Sequence, residues 1–226
     1  MLYNFANAKK STKNKKEKVK NNPILPPTPP TPTMENPGTY LRDNGVLCLA
    51  ESFKQESVMP LIYSIMEYNL MPDEVAPERI TLMINSPGGR IDSCLALIDS
   101  MKMSSIPVDT YCTGLAASCG ILTLMAGDRR YASSTSQIMS HQYASGSGGK
   151  EHELYGRMKS FEQTSRWMEN HYMECTGNTV KKIRKHLLGP TDVWLSAEEA
   201  LEWNIIDDII DPYAVNRSLR QSDVAQ

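Results

Sequence analysis

ITLMINSPGG, residues 80–89, joins an apolar run to the turn that ends it. Ile80 to Ile84 is short and apolar enough for a buried strand, and Ser86-Pro87-Gly88-Gly89 combines residues that stop a strand and reverse the backbone. Just beyond, Ile91, Leu95, Ile98 and Met101 recur at the spacing of one helix face. Pro107 closes that segment before a second apolar strand over 108–112. Upstream, Val58, Leu61, Ile62, Ile65 and Met66 mark an amphipathic helix within 57–70, and 46–49 reads as the strand before it. The order is β-α-β-α-β, so the chain is expected to form an α/β domain.

Further along, Ala116 to Ala126 (AASCGILTLMA) is too apolar for a one-sided surface helix and reads as a buried one, stopped by Gly127-Asp128. Another strand is expected at 138–140. Residues 150–175 carry the longest helical signal, with Leu154, Met158, Phe161, Met168 and Tyr172 along one side. At about 1.5 Å per residue that helix runs close to 40 Å. A domain of this size cannot easily cover it, so its apolar side is expected to finish its burial against another subunit. Thr176-Gly177-Asn178 ends it, and a shorter helix follows within 179–188. Ser196 with Glu199 forms an S-x-x-E capping box that opens a helical turn over 196–202, followed by a strand over 205–210. No repeat is evident beyond the strand-helix alternation.

A length of 226 residues suits one domain plus a tail. The net charge of -2 excludes a general nucleic-acid binder. Apolar runs fall well short of the roughly 18 residues a membrane span requires, so no membrane association is expected. The charge is unevenly placed. Residues 1–34 hold seven lysines and one acid, Glu17, while residues 23–32 (PILPPTPPTP) hold six of the fourteen prolines. This suits an extended or disordered arm. The expected organisation is a Lys- and Pro-rich tail over 1–39, a folded domain over 40–211 and a flexible C-terminal tail over 212–226. Five cysteines include no C-x-x-C pair and sit mostly among apolar or small residues, which points to buried, reduced thiols and a cytoplasmic location.

A hydrolase built on an activated hydroxyl requires a nucleophile, a base, an acid to orient the base, and donors for an oxyanion. Of four histidines, His152, His171 and His186 lie in or beside helical stretches as exposed polar positions. His141 instead follows the strand residues Ile138-Met139 and precedes a Gly/Ser-rich loop, which gives an imidazole open space beside it. Ser118 sits in GLAASCG, residues 114–120, where small neighbours allow close approach and the start of a helix offers unpaired N–H groups. A packing serine fits that segment equally well. Gly88-Gly89 supplies a second turn with accessible N–H groups. No pair of His or Cys has metal-ligand spacing, so neither metal nor cofactor is expected.

Together INSPGG at 84–89, GLAASCG at 114–120, the strand-end His141 and Asp192 in TDVWLSAEEALEWNIID at 191–207 resemble, in order and spacing, the ClpP family of self-compartmentalised serine proteases. The resemblance spans roughly residues 40–211. It implies an α/β, crotonase-like stack of β-β-α units with a long protruding handle helix at 150–175. It further implies Ser118 as nucleophile, His141 as general base, Asp192 as the carboxylate holding the imidazole, and the backbone N–H groups of Gly89 and Cys119 as oxyanion donors. Peptides or unfolded proteins would be cleaved inside stacked rings, with seven subunits per ring, and the Gly/Ser loop at 145–149 would line the substrate channel.

Cys119 stands where the family often has Met, a change that leaves a main-chain role intact. Ser140 replaces an apolar residue before His141, and Tyr143 replaces a proline. The Lys- and Pro-rich segment stands where the family has an axial hairpin that engages a hexameric AAA+ unfoldase, and no matching hairpin is recognisable, which leaves that partner open. The competing readings are a weak or inactive subunit of a mixed ring and, on the same fold, an acyl-CoA hydratase or isomerase.

Overall fold

A computed structural model of the protein describes residues 38–144, 146 and 149–212. Most of the N-terminal arm, three positions of the Gly/Ser loop (145, 147 and 148) and the C-terminal tail from 213 onward lie outside the described residues. After a short helix α1 (Thr39–Asp43), β1 (Val46–Leu49), α2 (Gln55–Leu70), β2 (Ile80–Ser86), α3 (Ile91–Met103) and β3 (Val108–Ala117) follow the expected alternation. The strands β1, β2 and β3 pair in parallel, each joined to the next by a helical crossover. In β2, Ile80, Leu82, Ile84 and Ser86 alternate onto a face closed to solvent, the pattern expected of a strand with a packed helix layer on it.

β3 is the longest strand, with 10 residues, and it serves two neighbours. Its first half, Thr110 to Cys112, pairs with β4 (Arg130–Ser133), which in turn pairs with β7 (Asp208–Ile210). Its second half, Leu115 to Ala117, pairs with β5 (Gln137–Ser140), and β5 carries the antiparallel β6 (Val193–Leu195). Between the halves the register with β2 slips, since Ile84 faces Cys112 while Ser86 faces Ala116. Gly114 sits within the slip at φ 96, with Asn85 Oδ1 3.1 Å from where a Cβ would lie.

Two boundaries differ from the sequence reading. Ala116 and Ala117 belong to β3, and the buried helix α4 begins at Cys119 and ends at Met125. A run of small apolar residues suits a buried strand as well as a buried helix, so composition alone does not separate them. The last strand begins at Asp208 rather than 205, because Asn204 takes φ 57 and turns the chain after α7 (Ala197–Glu202). The Ser196 hydroxyl accepts the Glu199 N–H as the capping box requires. Cys48 also departs from the expectation of buried thiols: it lies on the solvent side of β1, whereas Cys94, Cys112 and Cys119 are buried.

The long helix α5 (Glu151–Thr176) has 26 residues and ends at Gly177 in the left-handed region. Residues 151–163 are exposed throughout, including Leu154, Tyr155, Met158 and Phe161, while Met168, His171, Tyr172 and Thr176 are buried. A shorter helix α6 (Val180–His186) follows. Among the described residues no helix is long and apolar enough to cross a membrane.

His171 corrects the expectation of an exposed polar position. Its ring stacks on Trp167 with centroids 5.0 Å apart, and Nε2 lies 2.8 Å from the Leu122 carbonyl, so Nε2–H donates there. A helix position turns inward wherever the neighbouring apolar residues do, and Met168 and Tyr172 flank it on the buried face. Burial, with a smaller contribution from Lys102, pushes its pKa below the ordinary 6.5 despite the opposing Leu122 hydrogen bond and Glu174. The folded state therefore keeps His171 neutral where the unfolded chain takes up a proton. Stability is present above pH 6.5 and falls as the pH drops below it, by at most about 1.4 kcal/mol per pH unit from this group. Urea midpoints measured from pH 7.5 to 5 are expected to fall less steeply in His171→Gln than in the wild type.

Candidate active site

Ser118 is the single residue between β3 and α4. Its backbone sits at φ 55 and ψ -117, a conformation that costs a side-chain-bearing residue about 1–3 kcal/mol. The strain follows from an abrupt change of direction: the strand ends at Ala117, the helix starts at Cys119, and the turn is made in one step. A strand–serine–helix corner of this kind holds a hydroxyl out from the backbone, where a substrate can reach it.

The pairing of β3 with β5 delivers His141. Ala117 faces Met139, the Ser118 N–H donates to the Met139 carbonyl at 3.1 Å, and β5 ends one residue before the imidazole. His141 Nε2 then lies 2.8 Å from Ser118 Oγ, although 23 positions separate the two residues in sequence. With Nδ1 protonated, Nε2 accepts the hydroxyl proton, which is the geometry a general base requires.

Asp192 is placed by a different pairing. The antiparallel ladder of β5 and β6 ends with Ser140 opposite Val193, and His141 and Asp192 are the residues just outside it on the two strands. The Asp192 side chain is nevertheless exposed, and among the described residues no hydrogen bond joins it to His141. The structure thus brings Ser118 and His141 into contact and leaves Asp192 exposed, one residue before β6, without a hydrogen bond to either.

The Gly88-Gly89 turn lies directly against this corner. A Cβ on Gly88, at φ 96, would stand 2.5 Å from the Ser118 Cβ and 2.8 Å from the Ala117 carbonyl. On Gly89 it would meet the Phe53 carbonyl at 2.5 Å. The turn is pinned from the far side as Phe53 N–H donates to Gly88 O at 2.8 Å and Arg90 N–H to Phe53 O at 2.9 Å. Ser86 Oγ accepts from Gly88 N–H and donates to the Glu51 carbonyl. Among the described residues the Gly89 N–H has no acceptor, and Cys119, as the first residue of α4, has no intrahelical one. Both donors remain available beside Ser118.

Two thiols support the turn from below. Cys119 Sγ lies 3.4 Å from Gly89 O, and Cys94 Sγ lies 3.5 Å from Cys119 O. The Cys94 S–H beside it holds the Cys119 thiol below its ordinary pKa against the effect of burial, while burial pushes Cys94 up. Above the corner opens a cleft of about 370 Å³, its mouth included, in which Ser118, His141 and Gly89 share the lining with Ile121, Leu122 and Met168.

The reading of the sequence did not find the anchors of His141. Ser140 Oγ donates to the Leu187 carbonyl and Gln142 Nε2 to the Leu188 carbonyl. A polar Ser140 in an apolar slot was the available signal.

The family model for Clp protease matches residues 38–213. The proteolytic subunit 2 of the ATP-dependent Clp protease of Corynebacterium efficiens is 37% identical over 143 residues, covering 62% of this chain and 71% of that protein. Subunit 1 from Corynebacterium jeikeium is also 37% identical over 143 residues, covering 62% and 75%. Subunit 2 from Chlamydia trachomatis is 35% identical over 159 residues, covering 69% and 77%. The family model spans more than half of the sequence, and this chain belongs to the Clp protease family.

The contact between Gly88 and Ser118 makes a direct prediction. Gly88→Ala is expected to destabilise the domain by about 2 kcal/mol or more, because the added methyl meets backbone and a strained residue at once. Chemical denaturation of the variant beside the wild type measures this.

Proposed function

We propose that the chain is a serine endopeptidase that cleaves peptides or unfolded proteins. The observation that carries this reading is the 2.8 Å approach of His141 Nε2 to the hydroxyl of a backbone-strained Ser118. In the proposed reaction His141 takes the Ser118 proton as Oγ attacks a peptide carbonyl, and the oxyanion is held by the N–H groups of Gly89 and Cys119. His141 then passes the proton to the leaving amine, and water releases the acyl group by the same route in reverse. Asp192, which precedes β6 as His141 follows β5 at the same end of their ladder, would stabilise the imidazolium once its carboxylate turns inward. The apolar wall of Ile121, Leu122 and Met168 supports a preference for an apolar side chain next to the scissile bond.

The same proposal covers organisation. Residues 40–211 form the peptidase domain, and the exposed apolar residues of α5 suit contact with further copies in stacked rings of seven. The relatives are named as subunits of an ATP-dependent protease, which supports partnership with an ATP-driven unfoldase, for which the AAA+ class and work in the cytoplasm are part of the same proposal. A second reading, a weakly active or inactive subunit of a mixed ring, is favoured by the exposed and unbonded Asp192.

Hydrolysis of a short fluorogenic peptide by the purified full chain tests both. Under the first reading an activated phosphonate labels Ser118, and Ser118→Ala lowers kcat by at least about a thousandfold. Asp192→Asn lowers it by about a hundredfold or more. Activity that survives Ser118→Ala removes the reading; a trace of activity that Asp192→Asn leaves untouched selects the second.

A further inference from the structure

We propose that Ser140, Tyr172 and Gln142 are positioning residues for His141, forming a clamp that fixes the base by tying both sides of it to α5 and to the end of α6. The inference rests on the reading of His141 as general base and adds residues which that reading does not use.

The clamp follows from strand geometry. Along β5, Ile138 and Ser140 turn to the buried side while Gln137 is exposed and Met139 half-buried. Ser140 therefore anchors the strand on its packed side one residue before His141 leaves it. Ser140 is fully enclosed. Its single hydroxyl proton goes to the Leu187 carbonyl at 2.7 Å, so the Tyr172 hydroxyl, 2.6 Å away, donates to Ser140 Oγ. Burial raises the Tyr172 pKa, against the opposing Ser140 hydrogen bond, and so keeps that hydroxyl protonated as a donor. On the other side of the imidazole, Gln142 Nε2 donates to the Leu188 carbonyl at 2.9 Å.

Leu187 and Leu188 follow α6, where a helix leaves carbonyls without intrahelical partners. The residues before and after His141 thus satisfy consecutive carbonyls of one segment, and α5 adds the third tie through Tyr172. His141 stands one residue beyond the last paired residue, Ser140, and would otherwise be held only through the ends of the two short strands β5 and β6. Tyr172 also lines the cleft that contains Ser118 and His141, so a displacement of α5 at Tyr172 reaches the base through one hydrogen bond, to Ser140, and the main chain that joins Ser140 to His141.

The test uses the full chain and two readouts. Tyr172→Phe removes one oxygen and adds no bulk. Ser140→Thr and Ser140→Val have matched volumes and differ in the hydroxyl, so a steric fault common to both cancels in their comparison. With a fluorogenic peptide, Tyr172→Phe is expected to lower kcat about tenfold at unchanged KM, since misplacing a base acts on the reaction rather than on binding. The rising limb of its pH–kcat profile should shift, and Ser140→Thr should retain more kcat than Ser140→Val. The second readout is the 13Cε1 resonance of His141, whose position and titration should change in Tyr172→Phe and Ser140→Val but not in Ser140→Thr. Wild-type kcat and pH profile in both Tyr172→Phe and Ser140→Val would overturn the proposal, even with lowered melting temperatures. If the wild type hydrolyses no peptide, the peptidase reading fails separately, and an unchanged His141 titration in Tyr172→Phe and Ser140→Val then overturns the clamp by itself.

Discussion

The lateral pairing of the second half of β3 with β5 is the constraint on which the rest of the site depends. It holds Ser118 beside Met139 through a main-chain hydrogen bond and so fixes where His141 emerges. Shifting that register by one residue would turn every β5 side chain to the opposite face and carry the imidazole away from the hydroxyl. The slip in the β2–β3 ladder at Gly114 belongs to the same arrangement. It lets β3 follow β4 with its first half and β5 with its second, so one strand both builds the sheet and delivers the corner.

Close packing does the remaining work. Gly88 and Gly89 have no room for a side chain because the turn is pressed between Ser118 on one side and Phe53 on the other. Ser86, enclosed and bonded to both Gly88 and the Glu51 carbonyl, locks the turn from within. This arrangement leaves two backbone N–H groups near the hydroxyl without an acceptor among the described residues. Their placement therefore depends on backbone contacts that a change some distance away, at Phe53 for instance, can disturb.

Much of this was legible in the residues. The apolar period of α2 and α3, the turn after β2 and the capping box at Ser196 each follow from local chemistry, and the structure has them at the expected places. Ser118 and His141 were legible as a pair only through resemblance, because each has an ordinary packing role available in its own segment. The boundary between β3 and α4 was not legible, since small apolar residues suit both states. The burial of His171 and the ties around Ser140 escaped for a different reason: they join elements far apart in sequence, as Ser140 to Leu187 does, and no local period records such contacts. Asp192 shows the same limit from the other side, as it lies just before β6, where the direction of its side chain is not something a strand pattern can supply.

The twisted backbone at Ser118 has a further consequence. Glycine would occupy φ 55 at little expense, so pressure for ruggedness alone would tend to erase the hydroxyl at this corner. A lineage that keeps serine there accepts a slightly weaker fold, and under the proposed function the serine is the first place to look for decay in copies of the chain released from that function.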